Sequence, residues 1–136
     1  MVELEKIEIL YPEYEAKNLF VRDDKKQNYY LISVKGDKKV DLKEFKKKYG
    51  TRTLTFASNE DLMEYLKLTP GSVTPLGLLN DDRKIVHFYL DKEFLNDKAI
   101  IGIHPNDNTA TIWMAVHDLI RIIEEQGNCV SLFKVL

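Results

Sequence analysis

The chain reads as an α+β domain, a mixed, curved β-sheet flanked by helices. Three observations predict it. Short β-branched and aromatic runs bounded by turn residues recur along the sequence. Between and after them stand segments with apolar residues at helical spacing, opened by capping side chains or closed by glycine. No internal repeat or low-complexity linker interrupts this order.

The elements follow in turn. Lys17 to Arg22 and Asn28 to Val34 read as two strands joined by the polar turn 23–27, a hairpin by its spacing, closed by Gly36-Asp37. Asp41 is placed to cap a short helix through Lys48, with Leu42, Phe45 and Tyr49 on one face and Gly50 ending it. Thr53 to Phe56 is β-branched and aromatic, hence a strand. Ser58-Asn59-Glu60-Asp61 resembles a capping box for a helix carrying Leu62, Tyr65 and Leu66. The stretch 69–77, with two prolines and two glycines, is expected to lack regular structure. Lys84 to Leu90, Ala99 to Ile103 and Thr109 to Met114 read as strands. Val116 to Gln126 is an amphipathic helix with Leu119, Ile120 and Ile123 on its buried side, stopped by Gly127; Val130 to Val135 closes as a strand. Residues 1–10 fit neither period.

Composition bounds the class. A chain of 136 residues suits one domain with a single core. No apolar run approaches the roughly 20 residues of a membrane span, and the charged, acidic start is unlike a signal peptide. The single cysteine, Cys129, excludes an internal disulfide, fits a reducing cytosol and reads as a small core residue. A cytoplasmic protein is expected. A monomer is expected too.

The net charge of −2 hides a segregation: residues 17–52 carry +7 and the remainder −9. Lysines cluster at Lys25-Lys26, Lys38-Lys39 and Lys46-Lys47-Lys48, with Arg22 and Arg52 at either side. Such a local excess suggests a positive face able to attract phosphates, against the plainer reading of a solvated helix.

Three segments stand out for chemistry. Ala16-Lys17-Asn18 runs into Leu19-Phe20-Val21, placing a lysine at the start of a strand, where the sheet can hold an ammonium at a defined point. Gly71-Ser72-Val73-Thr74-Pro75 continues to Gly77; Gly71 permits backbone angles closed to other residues, Pro75 stiffens the turn, and successive peptide N–H groups there can cradle an anion. Gly102-Ile103-His104-Pro105-Asn106-Asp107-Asn108 sets four polar side chains between two candidate strands. His-x-x-Asp with no second histidine nearby is a poor metal set. The plain alternatives are a surface lysine, a Pro/Gly loop and a turn bonded to its own backbone. His87 and His117 have no comparable company and read as a strand residue and a helix-start residue.

Together, in this order and spacing, the three segments resemble the YbaK/ProX-type aminoacyl-tRNA deacylases, above all the free-standing bacterial prolyl-tRNA editing proteins. The resemblance runs from about Tyr11 to the C-terminus. It implies an α+β fold like the editing domain of prolyl-tRNA synthetase and a hydrolase acting in trans on mischarged tRNA(Pro). The expected substrate is alanyl-tRNA(Pro), with cysteinyl-tRNA(Pro) or a broader range as the alternative. It implies no cofactor and no metal. Lys17 matches the lysine that the family requires for activity. An aminoacyl ester is already activated, so a positioned ammonium that stabilises the developing oxyanion suffices without a covalent nucleophile; a general-base role would demand strong desolvation. Gly71, Ser72, Val73, Pro75 and Gly77 match the loop lining the aminoacyl pocket. Asn18, Ile103, His104, Asn106 and Asp107 are the further substrate-binding candidates. Arg22 and Arg52 match basic residues that read the acceptor end, with Lys46 and Lys47 beside them on the basic face. Members commonly carry an additional helix upstream; against that pattern, residues 1–136 read as one editing domain lacking it.

Other classes are weaker. There is no Gly-x-x-x-x-Gly-Lys phosphate loop and no Gly-x-Ser-x-Gly elbow. Phe20, Tyr29 and Tyr30 on adjacent candidate strands loosely echo sheets that stack bases, which keeps a non-catalytic tRNA-binding module as an alternative, although core packing explains them better.

Overall fold

In the computed structural model, residues 16–36, 38–70, 73–95, 99–103 and 112–134 are described. Five strands form one mixed sheet: β1 (Ala16–Asp23), β2 (Tyr29–Lys35), β3 (Leu54–Phe56), β4 (Val86–Asp91) and β7 (Val130–Phe133), in the order β3-β1-β2-β4-β7. The β1–β2 hairpin and the β1–β3 pair are antiparallel, whereas β2–β4 and β4–β7 are parallel. A separate antiparallel pair consists of β5 (Ile100–Ile103) and β6 (Ile112–Ala115). Among the described residues the α-helices are α1 (Leu42–Tyr49), α2 (Asn59–Leu66) and α3 (Val116–Gln126).

Strand alternation divides the core in two. Phe20, Tyr29, Leu31, Phe88 and Leu90 face α2, α3 and the β5–β6 pair. Val21, Ile32, Val34 and Tyr89 face Phe45 of α1 and Phe133. Phe20 and Tyr29, two of the three aromatics considered as a base-stacking surface, are buried and stacked on each other at 5.7 Å. Tyr30 lies on the other face, half-buried.

The caps form as the side chains dictate. Asp41 accepts from the Lys43 and Glu44 amides at the head of α1, and Gly50 ends that helix at φ +69°, where other residues are strained. Ser58 Oγ accepts from the Asp61 amide at 3.0 Å to open α2. At the hairpin turn, Asp23 accepts from the Gln27 amide and Asn28 Nδ2, both at 2.9 Å. Burial pushes the Asp23 carboxyl up, but these hydrogen bonds outweigh it and hold the group below its ordinary range. Its contribution to stability is therefore complete above the ordinary Asp range and lost only as pH falls through the lower folded value.

Three expectations are corrected. The segment expected to be irregular through Gly77 enters a 3-10 helix at Pro75–Asn80. Proline at its first position needs no N–H partner, and Thr74 Oγ1 accepts from the Leu76 amide. The strand expected from Lys84 begins at Val86, because Lys84 has φ +56° and the buried Asp81 takes the Val86 amide at 2.9 Å. Cys129 is exposed rather than in the core.

Gly77 marks a close approach. A Cβ there would lie 2.5 Å from Leu68 Cδ1 and 3.4 Å from Leu66 Cβ. Leu68 is itself buried and has little room to yield. Gly77→Ala is expected to destabilise the fold by about 1–3 kcal/mol through overpacking, measurable as a lower urea midpoint. An unchanged midpoint would mean that Leu68 repacks freely.

Candidate active site

The site forms where the start of β1 meets the loop that precedes the 3-10 helix. Asn18, the third residue of β1, is paired across the hairpin with Ser33 of β2. Its side chain is used at both ends: Nδ2 donates to the Val73 carbonyl oxygen at 3.0 Å, and Oδ1 accepts from Ser33 Oγ. Residues 55 positions apart are thereby joined, and the motif around Lys17 is tied to the Gly/Pro loop. Ser33 is fully buried within an otherwise apolar strand. It was not singled out from sequence, although a hydroxyl inside Tyr-Tyr-Leu-Ile-Ser-Val must find a partner when buried, and that was the available signal.

Beyond Val73, Thr74, Pro75 and Gly77 are buried, while Val73 and Leu76 pack against the larger core cluster. Ile103, at the end of β5 and paired with Ile112, is fully buried in the same cluster, as is Phe94. Ala16 packs there too. The described candidates Asn18, Val73, Pro75, Gly77 and Ile103 thus belong to one side of the sheet. Gly71, Ser72, His104, Asn106 and Asp107 lie outside the described residues.

Lys17 is exposed and has no side-chain partner among the described residues. It pairs with Val34, and alternation gives it the face of Leu19 and Val21 rather than that of Asn18. The two adjacent motif residues therefore flank the start of β1 from opposite faces.

The basic candidates spread away from this point. Arg22 donates to the Asp23 carbonyl oxygen at 2.9 Å, with Nε 3.9 Å from Asp61. Arg52 contacts both oxygens of Asp24, at 2.6 and 3.1 Å, and its hydrogen bonds and charge hold the Asp24 carboxyl below its ordinary range. Lys46 and Lys47 are exposed on α1. His87 and His117 fall in β4 and at the start of α3 as expected. His87 has closer company than the sequence indicated: its Nε2 lies 2.8 Å from Ser131 Oγ and its ring stacks on Tyr89 at 4.4 Å. Burial pushes the His87 pKa down, favouring the neutral ring.

The α+β architecture has a solved counterpart: a crystal structure of a proposed trans-editing enzyme for prolyl tRNA synthetase superposes with a TM-score of 0.73, covering 97% of this chain and 78% of that one at 18% identity. At that identity the likeness speaks for the fold. Sequence comparison supplies the family, because residues 1–122 match the aminoacyl-tRNA editing domain. The prolyl-tRNA editing protein ProX of Acetoanaerobium sticklandii is 43% identical over 126 residues, 93% of this chain and 76% of that protein. A prolyl-tRNA synthetase associated domain-containing protein of Mus musculus is 35% identical over 116 residues, 83% of this chain and 68% of that protein. The chain belongs to the aminoacyl-tRNA editing domain family.

Proposed function

We propose that the protein is a cytoplasmic deacylase acting in trans on mischarged tRNA(Pro), with alanyl-tRNA(Pro) as its preferred substrate. The observation that carries this reading is the Asn18–Val73 hydrogen bond, which joins the lysine motif of β1 to the Gly/Pro loop in a protein of this family. Two of the three segments expected to build an aminoacyl pocket meet there.

The chemistry is ester hydrolysis. Water adds to the aminoacyl carbonyl, the oxyanion collapses, and the products are the free amino acid and the 3′-terminal ribose hydroxyl. Lys17 is assigned to stabilise the negative charge that develops on the carbonyl oxygen. Asn18 is assigned to hold the Gly/Pro loop at its distance from β1, and residues 71–77 to wall the side-chain pocket. His104, Asn106 and Asp107 are assigned to the ribose and the α-amino group. Discrimination follows from size: a rigid wall rejects the larger prolyl ring by overlap, while a smaller group is rejected by only about 1–3 kcal/mol per missing methylene.

Measuring release of amino acid from a panel of mischarged tRNAs tests the assignment. Rapid turnover of alanyl-tRNA(Pro) with slower seryl and cysteinyl esters supports it; tRNA binding without turnover of any ester would leave a binding module instead.

Docking of the acceptor end is assigned in part to Arg22 and Arg52. The Arg52–Asp24 pair is half-exposed, and such pairs contribute little, so a phosphate can replace the carboxylate. Arg22→Ala and Arg52→Ala are each expected to weaken tRNA(Pro) binding and to reduce the slope of log affinity against log salt by about 1. Binding that stays flat between low and moderate salt would rule out phosphate docking by this face.

A further inference from the structure

Folding makes the cations of the basic segment unequal. Lys38 is held 2.8 Å from both the buried Asp91 and Glu93. Arg52 is engaged by Asp24. Lys48 turns toward the C-terminal strand, with its ammonium 3.4 Å from the Lys134 carbonyl oxygen and 5.6 Å from the centre of the Tyr49 ring.

Lys43, Lys46 and Lys47 differ. All three are exposed, and none forms an ion pair among the described residues. Their spacing, i, i+3 and i+4, places them on one face of α1 with about 5–6 Å between neighbouring Cβ atoms. That face is one wall of a groove of about 660 Å³, and Thr53 and Leu54 at the start of β3 form the other. Lys46 reaches across to donate to Thr53 Oγ1 at 3.1 Å. The one carboxylate lining the groove, Asp41, is engaged in capping the helix through the Lys43 and Glu44 amides. Glu44 and Lys48 line a different cavity, with Phe45 and Phe133.

We infer that the groove between α1 and β3 seats the phosphodiester backbone of the tRNA, with Lys43, Lys46 and Lys47 as its contacts. This rests on the reading above that tRNA is the substrate, and it adds a docking surface on the α1 face of the sheet, opposite the Asn18–Val73 contact. Lysines kept only for solubility would be scattered around α1. Here three cations converge on a concave channel beside the edge strand β3, with no competing ion pair among the described residues. A run of phosphates entering the channel would release its condensed counterions, the dominant source of affinity for such a surface. The two walls suit a narrow polyanionic strand, whereas a flat anionic bilayer would touch only their rims.

The test compares adjacent residues on α1 that undergo the same change of charge. Binding of an acceptor-stem minihelix carrying no amino acid is followed by fluorescence anisotropy across a salt series, with anionic phospholipid vesicles and polyglutamate as competitors. Lys47→Glu, and the double variant Lys43→Glu with Lys46→Glu, should each weaken RNA binding at least about tenfold and flatten the salt slope by roughly one unit per lost contact. Lys48→Glu should stay within about twofold of wild type. Thermal midpoints should barely move, since all four sites are exposed. The inference is overturned if Lys47→Glu and Lys48→Glu behave alike, if the minihelix does not bind, or if vesicles or polyglutamate displace it at equal charge concentration. Because the RNA carries no aminoacyl ester, a protein that binds through the groove yet hydrolyses no ester refutes the proposed reaction and leaves the groove standing. Normal hydrolysis with unchanged KM in Lys47→Glu refutes the groove alone.

Discussion

Replacing Lys17 with alanine is expected to lower the turnover of alanyl-tRNA(Pro) by a hundredfold or more while leaving the fold intact. Loss of one preorganised electrostatic contact to a developing oxyanion costs about 3–4 kcal/mol of barrier. Stability should hold because Lys17 is exposed and has no side-chain partner among the described residues. The loss should fall on kcat, since the contact is made in the transition state rather than on binding. Single-turnover assays with enzyme in excess measure this directly. A variant within about threefold of wild type would remove Lys17 from the mechanism and move attention to the face where Asn18 lies.

Alanyl-tRNA(Pro) should be hydrolysed at least about a hundredfold faster than prolyl-tRNA(Pro), the order of selectivity that one well-fitted steric contact supplies. Ile103→Ala probes the wall behind that selectivity and will have two consequences. Ile103 is fully buried in the main core cluster, so truncation should cost about 2–5 kcal/mol of stability. In the fraction that remains folded, at low temperature, the ratio of prolyl to alanyl hydrolysis should rise if the cavity opens toward the pocket. Comparable rates on the two esters in the unmutated protein would refute size exclusion. A destabilised variant with unchanged selectivity would make Ile103 a core residue only.

The local elements were legible because their signals are local. The Asp41 and Ser58 caps, the Gly50 and Gly127 stops and the period of 116–126 each act over a few residues, and each appears in place. Boundaries moved where a distant partner intervened. Asp81 takes the Val86 amide and Asn128 Nδ2, at 2.9 and 2.8 Å, so β4 starts at Val86, two residues after the expected Lys84. Asn128 was invisible as a partner because it stands 47 positions away.

By itself the sequence determined the α+β class, the hairpin, the three α-helices among the described residues and the family, since periodicity, capping chemistry and motif order are properties of the chain. Tertiary structure alone decided that Asn18 donates to the Val73 carbonyl oxygen through Nδ2 while its Oδ1 accepts from Ser33, and that Lys17 and Asn18 flank β1 from opposite faces. It also decided that Lys48 turns toward the C-terminal strand while Lys46 and Lys47 line the groove between α1 and β3. Hydrogen-bond satisfaction and charge pairing depend on what the fold brings within about 3–4 Å, and residues far apart in the chain acquire such neighbours only when the sheet assembles.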